Sequence, residues 1–215
     1  MPHGPEEVGV GPWEGPWPTG PGSEVYDAEL LAHGDRRNVV DRYRYWSLEA
    51  IRADLDLRRH DFHVAIENWQ HDFNIGTIVR SANAFLAAQV HIVGHRRWNR
   101  RGAMVTDRYQ HVHHHPTVED LLAHLAAQEV VLWGVDNLPG SLALETARLP
   151  RRVCLLFGQE GPGLSPEARA ACDATFSIAQ FGSTRSINAS AAAAIAMHTW
   201  VVQHADLAAD LTWRG

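Results

Sequence analysis

Three short stretches of this chain combine small residues with polar side chains that can hold a ligand. The first runs from Asn68 to Gly76 and leads into Arg80. The second, residues 157–165, places three glycines around Glu160. The third, residues 180–188, offers hydroxyl, guanidinium and amide groups directly before an alanine-rich stretch. Glycine and alanine let a backbone approach a ligand closely, so these stretches are the candidate site.

The hydrophobic pattern predicts that each stretch sits between a strand and a helix. Strands and helices alternate from residue 62, which predicts a mostly parallel, three-layer α/β sheet. Ligands bind such sheets beyond the carboxyl ends of the strands. The predicted strands are 62–66, 90–93, 130–135, 153–157 and 176–178. The predicted helices are 74–88, 117–128, one that begins at Ser165-Pro166, and the alanine-rich helix after Asn188.

Known phosphate-binding motifs do not explain the glycines. No Gly-Lys-Ser/Thr follows them, which excludes a P-loop. Gly161-Pro162-Gly163 is half of a Rossmann fingerprint, and its proline removes one amide donor. Taken singly, each stretch is equally compatible with an ordinary strand–helix turn or a packing helix with a common cap.

The first 60 residues differ in composition from the rest. Residues 1–37 are rich in Pro, Gly and Trp without periodicity, which predicts a disordered tail. The pattern of residues 38–60 predicts a helical extension. In it, Ser47 caps a helix that has Leu48, Ile51 and Leu55 on one face. The basic and aromatic residues 41–46 either dock this helix or form an arm that faces the substrate.

The formal net charge of −6 argues against a protein that coats nucleic acid nonspecifically. A local basic cluster, with Trp98 and Tyr109 among the arginines, still suits RNA phosphates and stacked bases. A solvated loop without a partner is the alternative. The cluster consists of Arg96, Arg97, Arg100, Arg101 and Arg108.

Metal, disulfide and membrane chemistry are not expected. Residues 111–115 include four histidines, but no Cys, Asp or Glu stands at ligand spacing, so we expect an exposed loop or edge strand without metal. Cys154 and Cys172 are interpreted as free thiols of a reducing compartment. No secretion signal and no apolar run of about 18 residues is found, which predicts a cytoplasmic protein.

Together and in this order, the three stretches resemble the SpoU/TrmH branch of the SPOUT RNA methyltransferases. The similar segments are 74–85, 156–165, and 186–190 with the alanines that follow. The resemblance covers about residues 62–204, and we assign a methyltransferase domain to 61–207. Leu86 and Gln180-Phe181-Gly182 depart from the common pattern of the family.

The resemblance implies a trefoil knot over residues 153–207, a homodimer, and metal-free methyl transfer from S-adenosylmethionine to a ribose 2′-hydroxyl of tRNA or rRNA. The pocket of one subunit would be completed by the other. An RNA-binding protein without turnover and a methyltransferase acting on a base nitrogen are the alternatives. The implied catalytic residues are Arg80, Asn74, Glu160, Ser186 and Asn188. The implied cofactor contacts are Gly134, Phe157, Gly158, Ile178, Ala179 and Ile187.

Arg80 is the implied activator of the hydroxyl. Because an arginine stays protonated, it is a poor general base. We expect it to stabilise the developing alkoxide or to hold an RNA phosphate that accepts the proton. Asn74, Ser186 and Asn188 would bind the ribose and shape the knot, and Glu160 would orient Arg80 or Asn74.

Overall fold

A computed structural model describes residues 9–70 and 74–210 of the 215-residue chain, without the side chains of residues 209 and 210. The chain divides into two compact units, Met1–Arg58 and Arg59–Gly215. None of the helices in the described ranges combines the length and apolar character that a bilayer crossing requires.

The first unit corrects the prediction of a disordered tail. Between residues 9 and 37 it contains a 3-10 turn at Ser23–Val25 and the helix α1 at Ala28–His33. The ring of Trp13 contacts the rings of Tyr26 and Tyr45. Aromatic packing therefore gives structure to a stretch whose composition suggested none. Residues 1–8 of the predicted tail lie outside the described residues.

A partly buried ion pair also lies in this unit. Asp35 is fully buried and accepts hydrogen bonds from Nη2 of Arg37 at 2.7 Å and from the amide of Tyr45 at 3.0 Å. Burial raises the pKa of Asp35, but the Arg37 and Tyr45 hydrogen bonds outweigh it and leave the pKa lowered. The predicted helix is present as α2, Leu48–Asp56, and Ser47 caps it as expected.

The second unit contains a seven-stranded sheet in which every strand pair is parallel. The spatial order is β3-β2-β1-β6-β4-β7-β5. Continuous apolar strands such as β6 are typical of a sheet covered on both faces. The strands are β1 His60–Asn68, β2 Ala87–Gly94, β3 Val112–His115, β4 Val131–Val135, β5 Leu142–Ala143, β6 Val153–Phe157 and β7 Ala174–Ser177.

Helices cover both faces and confirm the predicted α/β layers. One core joins the sheet to α3 (Asn74–Ala84) and α6 (Ala189–His204), with Trp200 fully buried. The other joins it to α4 (Val118–Ala126) and α5 (Pro166–Ala171). A short helix, α7, follows at Leu207–Asp210.

Some predicted boundaries were wrong. The helix predicted over 74–88 ends at Ala84, because Leu86 takes a left-handed φ of 57° and β2 begins at Ala87. Apolar residues continue across this junction, so periodicity alone extends the helix. Predicted strand 176–178 lies instead at Ala174–Ser177, and the two-residue β5 was not predicted.

The histidine-rich stretch forms β3 at the edge of the sheet, which confirms the edge-strand interpretation. Its side chains are less exposed than expected, since His115 is buried. Hydrogen bonds of 3.0 and 2.9 Å join His63 to His91 and His91 to His115. His113 and His124 contact the same group through their rings.

Candidate active site

A cavity of about 290 Å³ opens where β4, β6 and β7 end. Parallel strands bring their carboxyl ends to the same edge of a sheet, and this is where α/β folds bind ligands. Small-molecule sites span about 300 to 1,000 Å³, so this cavity is at the lower end of the range for one organic ligand. The second and third predicted stretches both line the cavity: residues 157–161 and 163 from one, and 180 and 186–188 from the other.

A chain of amide and carboxylate hydrogen bonds connects all three predicted stretches. Nδ2 of Asn74, at the start of α3, donates to Oε2 of Glu160 at 2.8 Å. Nδ2 of Asn188 donates to Oδ1 of Asn74 at 2.9 Å. Oδ1 of Asn188 caps α6 by accepting from the amide of Ser190 at 2.9 Å. Residues far apart in the sequence are thereby fixed in one network, which we call the amide network.

Asp136 is a cavity residue that sequence reasoning missed. It follows β4, and its Oδ2 accepts from the amide of Leu164 at 2.8 Å. A Cβ on Gly163 would lie 2.3 Å from the same oxygen, and Gly163 has a φ of +74°. The carboxylate of Asp136 therefore fixes the glycine loop, and Gly163 must lack a side chain to allow this contact.

Gly158 has an equally strict steric role. A Cβ at this position would come within 2.1 Å of the carbonyl carbon of Gly163. The loop between them closes through two hydrogen bonds between Gln159 and Gly163. The glycines thus fold the loop back on itself and leave its backbone facing the cavity.

Two glutamines that line the cavity carry buried side-chain oxygens. Oε1 of Gln159 and Oε1 of Gln180 are buried, and neither has a hydrogen-bond partner in the part of the chain that the structure describes. A buried acceptor without a partner destabilises the fold, and a ligand donor that reached either oxygen would relieve that cost. An adenosine carries amino and hydroxyl donors that meet this need.

Two tethers position loop 179–188. Oε1 of Glu145 accepts from the amide of Ala179 at 2.7 Å. Nδ2 of Asn137 donates to the carbonyl of Arg185 at 2.9 Å. The amide of Ala179 is therefore already engaged, and Ala179 does not appear among the cavity-lining residues.

Most, but not all, of the predicted site residues meet at the cavity. The predicted residues that line it are Phe157, Gly158, Glu160, Ile178, Ser186, Ile187 and Asn188. Asn74 reaches it through the amide network. Gly134 lies in β4 away from it, and a Cβ there would meet Cδ1 of Leu164 at 2.8 Å, which gives this glycine a packing reason. Arg80 is exposed on α3 and does not line the cavity.

The cavity residues to which the sequence assigned no individual role fall into two groups. Those inside the predicted stretches or next to predicted residues are Gln159, Gly161, Gly163, Ser177, Gln180, Ala189 and Ala192. Val135 ends β4, and Asp136 and Asn137 follow it in a loop that has no glycine pattern. Their only signal was the position at the carboxyl end of a buried strand. Residues 71–73 of the first stretch lie outside the described residues.

The arginine cluster lies on an exposed segment that packs against α3. Arg96, Arg97, Arg100, Arg101 and Arg108 are all exposed. Nδ2 of Asn68 holds the segment by donating to the carbonyls of His95 and Arg97. A Cβ on Gly76 would lie 2.8 Å from the amide nitrogen of Ala103, so the segment touches the first turns of α3. The cluster is thereby next to the helix that begins at Asn74.

One arginine of the cluster has local partners. Nη1 of Arg100 lies 3.4 Å from Oδ2 of Asp107, and its guanidinium lies 5.4 Å from the ring centre of Trp98.

Within residues 9–70 and 74–210, no group of three or more His, Cys, Asp or Glu is arranged to hold a metal ion.

Comparisons with known proteins agree on one family. The family model described as SpoU rRNA methylase matches residues 61–198. The tRNA (guanosine(18)-2′-O)-methyltransferase of Escherichia coli K12 is 29% identical over 144 residues. That alignment covers 66% of this chain and 63% of the relative, so the chain spans less than two thirds of that relative's length.

Solved structures show the same fold. The SpoU methyltransferase AviRb from Streptomyces viridochromogenes, in complex with its cofactor AdoMet, is 28% identical with a TM-score of 0.62. The match covers 70% of this chain and 60% of AviRb. The A. aeolicus TrmH/SpoU tRNA-modifying enzyme is 20% identical with a TM-score of 0.64, covering 73% of this chain and 81% of that one.

Proposed function

The chain belongs to the SpoU rRNA methylase family, and we propose that it transfers a methyl group from S-adenosylmethionine to a ribose 2′-hydroxyl of tRNA or rRNA. The amide network is the observation that carries this proposal. It joins Asn74, Glu160 and Asn188 from three separate segments beside a cofactor-sized cavity. The relative from E. coli, by its name, methylates a guanosine 2′-oxygen in tRNA.

The cavity wall suits S-adenosylmethionine. Backbone at Phe157, Gly158 and Ile187, with the side chain of Ile178, would hold the adenosine, and the oxygens of Gln159 and Gln180 would accept from its donors. Bound there, the cofactor supplies an electrophilic methyl group on a sulfonium. Displacement at such a carbon is in-line and needs no Lewis acid, so we propose a metal-free reaction that depends on positioning.

The amide network positions the residues of the site and does not activate the ribose hydroxyl. Because both ends of the Asn74 amide are engaged, Asn74 holds Glu160 and Asn188 in place. Ser186 is exposed at the cavity rim, where its hydroxyl can bind the ribose. Arg80 would stabilise the alkoxide that forms as the hydroxyl attacks, or hold a phosphate that takes the proton.

Arg80 needs a second copy of the chain for this role. It is exposed and stands outside the cavity of its own chain, so we propose that it acts on the pocket of a homodimer partner. The exposed face of α6 supports dimer formation, since Ile195 is 43% and Val202 57% exposed. Ala191 is on this exposed side, whereas Ala196 is buried in the core of its own chain.

Two further features belong to the proposal. A trefoil knot over residues 153–207, which the family resemblance implies, is part of the proposal, and the strand order requires the connection from β6 to β7 to pass over β4. RNA is the proposed partner of the arginine cluster, whose guanidinium groups suit phosphates. We propose a cytoplasmic location, where tRNA and rRNA are present.

The decisive experiment compares RNA from a strain with and without the gene. Nuclease digestion followed by mass spectrometry should reveal one 2′-O-methylnucleoside that is lost on deletion and restored by the wild-type gene. A lost base-methylated nucleoside would instead identify a base methyltransferase, and an unchanged spectrum would favour an RNA-binding protein without turnover.

A further inference from the structure

Phe181 is the most exposed large apolar side chain that the structure describes, with 98% of its surface accessible. It lies in loop 179–188, between Gln180 and Ser186, which both line the candidate cavity. Its ring therefore stands at the rim of the proposed methyl-transfer site. It also belongs to the Gln180-Phe181-Gly182 segment, in which this chain departs from the common family pattern.

The loop that carries Phe181 is anchored on both sides of the ring. Glu145 holds the amide of Ala179 at 2.7 Å, and Asn137 holds the carbonyl of Arg185 at 2.9 Å. Tethers at both ends reduce the freedom that the loop must lose when it binds a partner. The exposed ring is thus presented from a positioned loop.

The neighbours of Phe181 favour a nucleotide over a protein partner. Protein docking surfaces have a contiguous apolar centre. Phe181 is instead followed by the exposed residues Gly182, Ser183, Thr184 and Arg185. A single ring beside hydroxyls and a guanidinium matches the way proteins bind unpaired RNA, in which aromatic rings stack on bases and arginines contact phosphates.

We propose that Phe181 stacks on the base of an unpaired RNA nucleotide at the cavity rim, while Arg185 contacts a neighbouring phosphate. This inference rests on the proposed function, since it lays the RNA strand across the site of methyl transfer. It makes this loop a determinant of which nucleotide is presented. Stacking tolerates any base, so it selects for an unpaired strand rather than for one sequence.

The test is a binding series with labelled RNA, measured by fluorescence anisotropy. The probes are a single-stranded RNA of mixed sequence and a blunt duplex of the same composition. Phe181→Ala should weaken single-strand binding by about tenfold, in the range that aromatic stacking contributes. Phe181→Leu, which keeps an apolar side chain but no ring face, should behave like Phe181→Ala, and Phe181→Trp should retain wild-type affinity.

Arg185→Ala tests the second contact that the proposal assigns to the same loop. It should lower the slope of log affinity against log salt by about one unit, because one phosphate contact is lost. Phe181→Ala should leave that slope unchanged. Three results would overturn the proposal. Phe181→Leu could bind the single strand as tightly as the wild type, or Phe181→Ala could lose affinity equally for the duplex and the single strand. The third is light scattering that shows Phe181→Ala converting a dimer to a monomer.

The binding series and the activity of the wild type separate the two proposals. A wild-type protein that binds single-stranded RNA through Phe181 but methylates nothing would sink the proposed function and leave the stacking role intact. If the wild-type protein methylates RNA, and Phe181→Ala methylates and binds RNA equally well, the proposed function would stand and the stacking role would be wrong.

Discussion

Arg80 is the residue whose replacement should affect methyl transfer without affecting cofactor binding. If it stabilises the transition state, Arg80→Ala should lower turnover by about 10²-fold or more, as when one preorganised charge-stabilising donor is lost. Cofactor affinity should stay at the wild-type level, because Arg80 lies outside the cavity. Arg80→Lys should rescue only in part, since an ammonium cannot reproduce the planar fork of a guanidinium.

Single-turnover methylation, with cofactor binding measured on the same samples, checks this prediction. The control is Arg52→Ala, an arginine of α2 in the other compact unit. Normal turnover in Arg80→Ala, or a loss explained entirely by weaker cofactor binding, would remove Arg80 from the catalytic residues.

Asp136 should affect cofactor binding through the loop that it holds. Asp136→Ala removes the acceptor of the Leu164 amide and should weaken S-adenosylmethionine binding by about tenfold, the loss typical of a hydrogen bond to a charged group. Asp136→Asn keeps an oxygen acceptor in the same place and should lose less. Calorimetric titration measures the cofactor affinity of each variant. The prediction is wrong if both variants bind the cofactor as tightly as the wild type.

At the scale of elements, the buried histidines should make the second unit sensitive to acid. Burial, followed by the neighbouring His124 and His113, lowers the pKa of both His63 and His115 to about 4. The pKa of His91 is lowered well below its usual value, again chiefly by burial. The folded state therefore prefers these imidazoles neutral, whereas the unfolded chain protonates them near pH 6.5.

The free energy of unfolding should thus be greatest above pH 6.5 and fall as the pH drops toward 4. The loss reaches on the order of 3 kcal/mol for His63 alone. Chemical denaturation over this range tests it. His63→Gln, which cannot be protonated, should flatten the profile, and His198→Gln, at an exposed position of α6, should not. A profile that His63→Gln leaves unaltered would contradict the prediction.

The segment after β2 should govern RNA affinity rather than chemistry. Replacing exposed Arg97 and Arg101 with alanine should weaken binding to any RNA and reduce the salt slope by about two units. Arg151→Ala, an exposed arginine paired with Asp61 at 2.9 Å, serves as the control. Unchanged affinity and unchanged salt dependence in the double variant would show that the segment is an ordinary solvated loop.

Local signals predicted the elements well where the cause of the structure is itself local. Strand β6 lies at Val153–Phe157 as predicted, and Ser165 and Thr117 cap their helices through their own side chains. Leu86 escaped prediction because it takes a left-handed φ without being glycine. The role of Asp136 was not predicted, because its partner Leu164 is 28 positions away and is brought to it only by the pairing of β4 with β6.

At the scale of the whole molecule, the main question is whether one chain forms a complete site. The cavity, the amide network and Ser186 belong to a single copy, but Arg80 stands outside that cavity. Symmetric dimers place the same residue at both sites, so Arg80 of each copy can complete the pocket of the other. Two inactive variants mixed together should then restore activity.

Arg80→Ala keeps an intact pocket, and Gly158→Ala keeps Arg80 but places a Cβ against the backbone of Gly163, which should close the cofactor site. After subunit exchange, half of the dimers are mixed, and each has one complete site. Methylation should recover to about a quarter of the wild-type rate. Without exchange, or with Ile195→Glu added to each variant to break the apolar face of α6, recovery should disappear. If the exchanged mixture stays inactive while light scattering shows dimers, Arg80 and the pocket it serves belong to the same chain.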